Sequence, residues 1–308
     1  MSIKSKLIAV YEKLYSIEFI MNSIYRYNNK NHRLNILSSE DTIERVLASN
    51  CSVTRFGEGE FELILYSDMD LGFQKRNPQL AKRLTQVLSN RNEQLLICIP
   101  YALNDIRGRT EHSRKFWFYW GHNKGQHHNI VSLIRELRGN SYVFGDTQIT
   151  RPYIAYNAPE HGARMFPMLK QLWNGQDILF VEGVKTRLGV GNDLFDNAKS
   201  IKRVLCPATD AFDHYDEIVE AVKHVHQGEL ILLALGPTAT VLASDFADMG
   251  MRAIDLGHLD IEYEWFLAGA KGHDQVVGKF TNEAAAGHEV DACEDEDYLG
   301  QIVGRVGC

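Results

Sequence analysis

Residues 229–257, ELILLALGPTATVLASDFADMGMRAIDLG, contain a complete strand–helix–strand unit. The run from Leu230 to Leu235 is apolar at every position. A sheet with one wet face alternates apolar and polar residues, so an unbroken run marks a strand covered on both faces. Gly236 and Pro237 then open a helix, proline standing in the first turn, where its missing N–H costs nothing. After Gly250 the chain turns apolar again and ends at Leu256. Parallel strands joined by a covering helix are the repeating unit of doubly wound α/β folds.

The same pattern extends upstream. Short apolar runs fall at 52–56, 95–99, 142–145, 178–182, 203–206, 230–235 and 252–256, separated by amphipathic helical segments. SSEDTIERVLASN has a serine cap and helical spacing, and Asn77-Pro78 opens another helix. These signals predict an α/β, Rossmann-like doubly wound domain over residues 39–275, its mostly parallel sheet flanked by helices. Residues 1–38 read as an amphipathic helix and linker. Residues 276–308 shift to small and acidic types and read as a loosely held acidic tail.

Charge narrows the function. The chain of 308 residues has a formal net charge of −7 and a pI near 6.0, which argues against nucleic acid as the main partner. Residues 1–33 carry six Lys/Arg against two Glu, so this basic helix is either a solvated face or a dock for an acidic partner enzyme, a second copy or an anionic membrane surface. Its hydrophobic stretch is broken by Glu12, Lys13 and Glu18 and is no membrane span. Five cysteines, none in CxxC spacing, predict free thiols in a reducing cytoplasm. His122, His127 and His128 lack ligand spacing and read as surface residues. The aromatic run at 117–120 reads as core or interface in preference to a sugar platform.

In open parallel sheets, ligands bind beyond the carboxyl ends of the strands. Those exits carry Arg55, Gly57, Glu58 and Glu60; Asp146, Thr147 and Arg151; Lys185 and Arg187; and Gly236 with Thr238 at a helix start. The cationic loop and the helix N-terminus suit a phosphate. Arg55 is also open to the plainer reading of a turn residue paired with Glu58 or Glu60. Downstream, LGHLDIEYEW alternates carboxylates with Ile261 and Tyr263, as an extended segment would. Asp260 and Glu262 would then point the same way and suit a hard divalent ion, with His258 in support. No GxGxxG fingerprint and no P-loop occur, which disfavours nicotinamide enzymes and P-loop kinases.

The ordered blocks RFGEGEF, GDTQITRPY, FVEGVKTRLGVGNDLF and LLALGPTATVLASDFADMGMRAIDLGHLDIEYEWF resemble the bacterial GT-D-type glycosyltransferases, from about Thr42 to Ala270. The resemblance implies a Rossmann-like enzyme that moves a hexose, glucose or galactose, from a UDP-sugar to an acceptor glycan of a surface polysaccharide or glycoprotein. It also implies a divalent metal, manganese or magnesium, on the D-x-E pair Asp260 and Glu262. The family's Arg-Phe-Gly-Asp-Gly-Glu block corresponds to Arg55–Glu60, with Glu58 in place of aspartate. For an inverting reaction, Glu264, Glu58 and Glu60 are the candidate bases. Two rivals remain open on the residues alone: a metal-dependent phosphatase or nucleotidyltransferase, and a non-catalytic nucleotide-sugar-binding subunit.

Overall fold

A computed structural model describes residues 18–66, 70–123, 126–281, 283–284 and 290–308. The strands are β1 (Asn35–Ile36), β2 (Ser52–Arg55), β3 (Leu95–Ile99), β4 (Val143–Asp146), β5 (Asp177–Gly183), β6 (Ser200–Cys206), β7 (Leu230–Ala234), β8 (Ala253–Asp255) and β9 (Ile302–Arg305). Ahead of β4 stand α1 (Glu18–Asn28), α2 (Ser39–Ser49), α3 (Glu58–Leu65), α4 (Pro78–Ser89), α5 (Glu111–Asn123) and α6 (Gln126–Arg138). After it come α7 (Pro159–Lys170), α8 (Tyr215–Val225), α9 (Pro237–Asp248), α10 (Leu259–Ala268) and α11 (Glu296–Gly300).

The nine strands form one sheet in the order β1-β4-β3-β2-β8-β7-β5-β6-β9, and every pairing is parallel. All seven sequence-predicted strands are present, and the α/β class is as expected. β3 and β7 are buried at every residue, as unbroken apolar runs require. Chain direction across the sheet reverses between β2 and β8, where Val53 pairs with Ile254. Such a reversal leaves a crevice at the carboxyl edge.

Described residues of both expected outliers pack against the domain. In α1, Met21 and Tyr25 are buried, and the Tyr25 hydroxyl donates to the Ala102 carbonyl at 2.8 Å; residues 1–17 of that segment lie outside the described residues. The last described part of the acidic tail, residues 290–308, is anchored to the sheet. β9 pairs with β6, and Tyr298 is buried beside Arg203, whose guanidinium lies between the Phe180 and Tyr298 rings. Arg203 also bonds Glu182, at 2.5 Å, and Gln301. None of the described helices is long and apolar enough to cross a membrane. The five cysteines are free, three of them buried.

Candidate active site

A cleft of about 850 Å³ opens over the carboxyl ends of the strands. Its floor is built at the β2/β8 reversal. Arg55, leaving β2, donates from Nη2 to Asp255 Oδ1 at 2.9 Å, from Nε to the Asp255 carbonyl at 2.8 Å, and from Nη1 to Thr150 Oγ1 at 2.6 Å. The partner of Arg55 is therefore Asp255, 200 residues away, and not Glu58 or Glu60. Gly257 makes this possible. Its φ is +49°, and a Cβ there would lie 1.9 Å from Arg55 Nη2, so only glycine lets the guanidinium lie flat on the backbone. Burial pushes the Asp255 carboxyl up, against the pull of Arg55.

Glu58 and Glu60 stand at the start of α3, which has Gly57 as its cap. Glu60 Oε2 accepts the Gly57 N–H at 2.7 Å, the reciprocal half of a capping box. Removal from water raises the Glu60 carboxyl to about 7, even against that hydrogen bond. The group lines the cleft and is poised to exchange a proton near neutrality. On the far side, Gly236 opens α9 at φ +55°, without a side-chain cap, and a Cβ there would meet the Phe73 ring at 2.5 Å.

A third wall comes from Arg151, Glu283 and His258. Arg151 Nη2 donates to Glu283 Oε1 at 2.5 Å, and His258 Nδ1 lies 3.6 Å from Glu283 Oε2. Burial opposes the charge on Glu283, but His258 and Arg151 outweigh it and hold its pKa at about 2. His258 is itself pushed down to about 4, by burial first and by Arg151 next, and is neutral at pH 7.

The D-x-E segment differs from its reading as a strand. Leu259–Ala268 is helical, so Asp260 and Glu262, two residues apart, diverge by about half a turn. Asp260 Oδ1 accepts from Gly189 N–H and Asn192 Nδ2, both at 2.9 Å, and Oδ2 takes Lys279 Nζ at 2.7 Å. Glu262 Oε2 accepts the Tyr153 and Ile154 N–H groups, each at 3.0 Å, while its Oε1 is buried without a partner. Burial raises Glu262 to about 7, with Arg151 pulling the other way. The two carboxylates thus do not fit a single chelated ion, and no group of three His, Cys, Asp or Glu among the described residues does. The partner that shares a face with Asp260 is Glu264, one helical turn on. Asn192 and Lys279 bridge both, Lys279 at 2.8 Å from Glu264.

Other expected residues also fall elsewhere. Glu264 is held by Lys279 and does not line the cleft. Arg187 is buried against the chain end, donating to the Gly278 carbonyl at 2.8 Å and to that of Asp291. Lys185 lies off the cleft wall, and its carbonyl accepts the Phe280 N–H at 2.9 Å. Asp146 is a buried anchor for Ser39, Tyr101 and Gln148, and Thr238 is buried beneath the floor. His127, expected on the surface, is buried with Nε2 2.7 Å from the Leu103 carbonyl; His128 is exposed. Arg55, Gly57, Glu58, Glu60, Thr147, Arg151, Gly236 and Asp260 do converge on the cleft. Sequence reasoning missed Asp255, Lys279 and Glu283. Asp255 is the lone carboxylate within the run 252–256, a signal that was available.

A parallel sheet with a crevice at its reversal point, walled by arginines and carboxylates, is an α/β ligand-binding architecture, and comparison makes it specific. The family described as "Glycosyltransferase GT-D fold" matches residues 53–284, and the chain belongs to it. It is similar to the "Probable glycosyl transferase Gly" of Streptococcus gordonii, at 36% identity over 89% of this chain and 39% of that protein. "Glycosyltransferase GlyD" of Streptococcus pneumoniae serotype 4 is 34% identical over 87% of this chain and 32% of its own length. The chain thus spans about a third to two fifths of the curated relatives that it matches. A solved domain of unknown function 1792, described as having a distinct glycosyltransferase fold, superposes with a TM-score of 0.81 at 35% identity, covering 91% of this chain and 98% of that one. A new glycosyltransferase (DUF1792) from Streptococcus sanguinis gives 0.80 at 33%, over 89% and 100%.

Proposed function

We propose that the chain transfers a hexose from a UDP-sugar, UDP-glucose or UDP-galactose, to an acceptor glycan. The observation that carries the reading is the convergence at one crevice of Arg55, Arg151, the uncapped start of α9 and a carboxylate that titrates near 7. Transfer from a nucleotide diphosphate leaves negative charge on the departing phosphate and draws a proton from the acceptor hydroxyl. Guanidinium groups and helix N–H groups stabilise the first. Glu60 takes the second if the reaction inverts, with Glu58 as the alternative. His258, neutral at working pH, adds no charge to either step.

The charge of the cleft bears on the metal. Among its lining residues are three cations, Arg55, Arg151 and Lys271, against seven carboxylates. A bare diphosphate is disfavoured there, so the reading takes the donor as a complex with manganese or magnesium that brings its own positive charge. Asp260 is the member of the D-x-E pair on the wall, and Lys279 already neutralises it.

Incubation with a panel of UDP-sugars and a divalent ion tests the assignment. Slow release of UDP and free sugar supports a transferase. Release of inorganic phosphate instead would assign the cleft to phosphate-ester hydrolysis, and UDP binding with no turnover would make the chain a binding subunit.

A further inference from the structure

The wall that α5 makes with Glu62 of α3 has no role assigned above. Phe116 and Trp120, one helical turn apart on α5, lie near-parallel at 17° with ring centroids 6.5 Å apart. Their neighbours Trp117 and Phe118 are core, yet Phe116 is 40% exposed. The Trp120 indole N–H donates to Glu62 Oε1 at 2.8 Å, and Gln126 Nε2 donates to the same oxygen at 3.1 Å. The ring is therefore fixed in place, and among the described residues nothing donates to the second Glu62 oxygen.

We infer that this wall is the acceptor subsite, a platform on which Phe116 and Trp120 stack the apolar face of a pyranose while Glu62 accepts its hydroxyls. The inference rests on the transferase reading and names its acceptor side. An aromatic strip beside a carboxylate matches a sugar ring, which has C–H groups on its faces and O–H donors at its rim. It does not match a diphosphate, which the carboxylate repels. At about 850 Å³ the cleft lies near the top of the range for one small-molecule site, which leaves room for a second ligand beside the donor. Glu60 sits on the same helix as Glu62, so a sugar on the platform presents its hydroxyls next to the proposed base.

The test uses methyl β-D-glucopyranoside, methyl N-acetyl-β-D-glucosaminide and cellobiose as probes. Saturation-transfer NMR is expected to show binding of at least one, lost in Phe116→Ala and kept in Phe116→Tyr, with the melting temperature of each variant confirming folding. With the bound sugar as acceptor, Phe116→Ala and Glu62→Gln should raise its KM at least tenfold and leave the Kd for UDP within twofold. No binding of any probe overturns the subsite, as does an unchanged KM in Phe116→Ala. A weakened UDP Kd with unchanged sugar binding would reassign the platform to the nucleobase. Sugar binding without turnover would leave the subsite standing and sink the transferase reading instead.

Discussion

Replacing Glu60 with glutamine should separate rate from stability. The carboxyl is held at about 7 against an ordinary 4.5. In the folded protein it stays protonated between those values, whereas the unfolded chain has already ionised. Folded molecules therefore bind more protons there, and stability falls as pH rises from 4.5 through 7. The difference of about 2.5 pH units corresponds to at most about 3 kcal/mol, less after allowance for the group's partial exposure to the cleft. Glutamine still accepts the Gly57 N–H and carries no charge, so Glu60→Gln should gain stability relative to the wild type on going from pH 5 to pH 8. Its transfer rate should drop about 10²–10⁴-fold, the usual contribution of a general base, and the wild-type rate should rise with pH through an acidic limb near 7. Urea titrations at the two pH values and a pH–kcat/KM profile are sufficient. A wild-type limb below pH 5.5, or a variant whose stability advantage does not change with pH, would refute the argument.

Other outcomes follow from the same geometry. Gly257→Ala should cost several kcal/mol in denaturant unfolding and abolish UDP binding, because its Cβ would displace the Arg55 guanidinium; normal binding would show that Arg55 is not fixed there. Lys279→Met leaves the buried Asp260 and the half-buried Glu264 without their ammonium and should destabilise the fold by about 3–5 kcal/mol; a smaller loss would mean that water reaches Asp260. UDP affinity by calorimetry should fall at least tenfold when EDTA replaces manganese, and equal affinity would remove the ion from the donor complex. Manganese without nucleotide should move the melting temperature by less than about 1 °C, since RT ln(1 + [L]/Kd) is small for a site not yet formed.

How much was legible in the sequence depended on how local each signal was. The core strands could be read because a strand buried on both faces needs apolar residues at consecutive positions. β9 could not: it sits at the sheet edge, its residues alternate between partly buried and exposed, and it contains Gly304. The sequence Asp260-Ile261-Glu262-Tyr263-Glu264 misled because a buried helix can place carboxylates at alternate positions when each finds its own partner. Those partners, Lys279 for Asp260 and the Tyr153–Ile154 backbone for Glu262, are remote or carry no side-chain signature. Likewise the Arg55–Asp255 bond depends on strand order, which periodicity does not encode. Family resemblance supplied the chemistry; the directions of individual side chains came from packing.

The segment that follows α10 also bears on how this scaffold could diversify. Between residues 271 and 283 it contributes His273, Phe280 and Glu283 to the cleft, yet its described residues add no strand and interrupt no helix. Exchanging that stretch between relatives would remodel one side of the cleft while sparing the sheet, provided the graft retained an ammonium at position 279 to moor it.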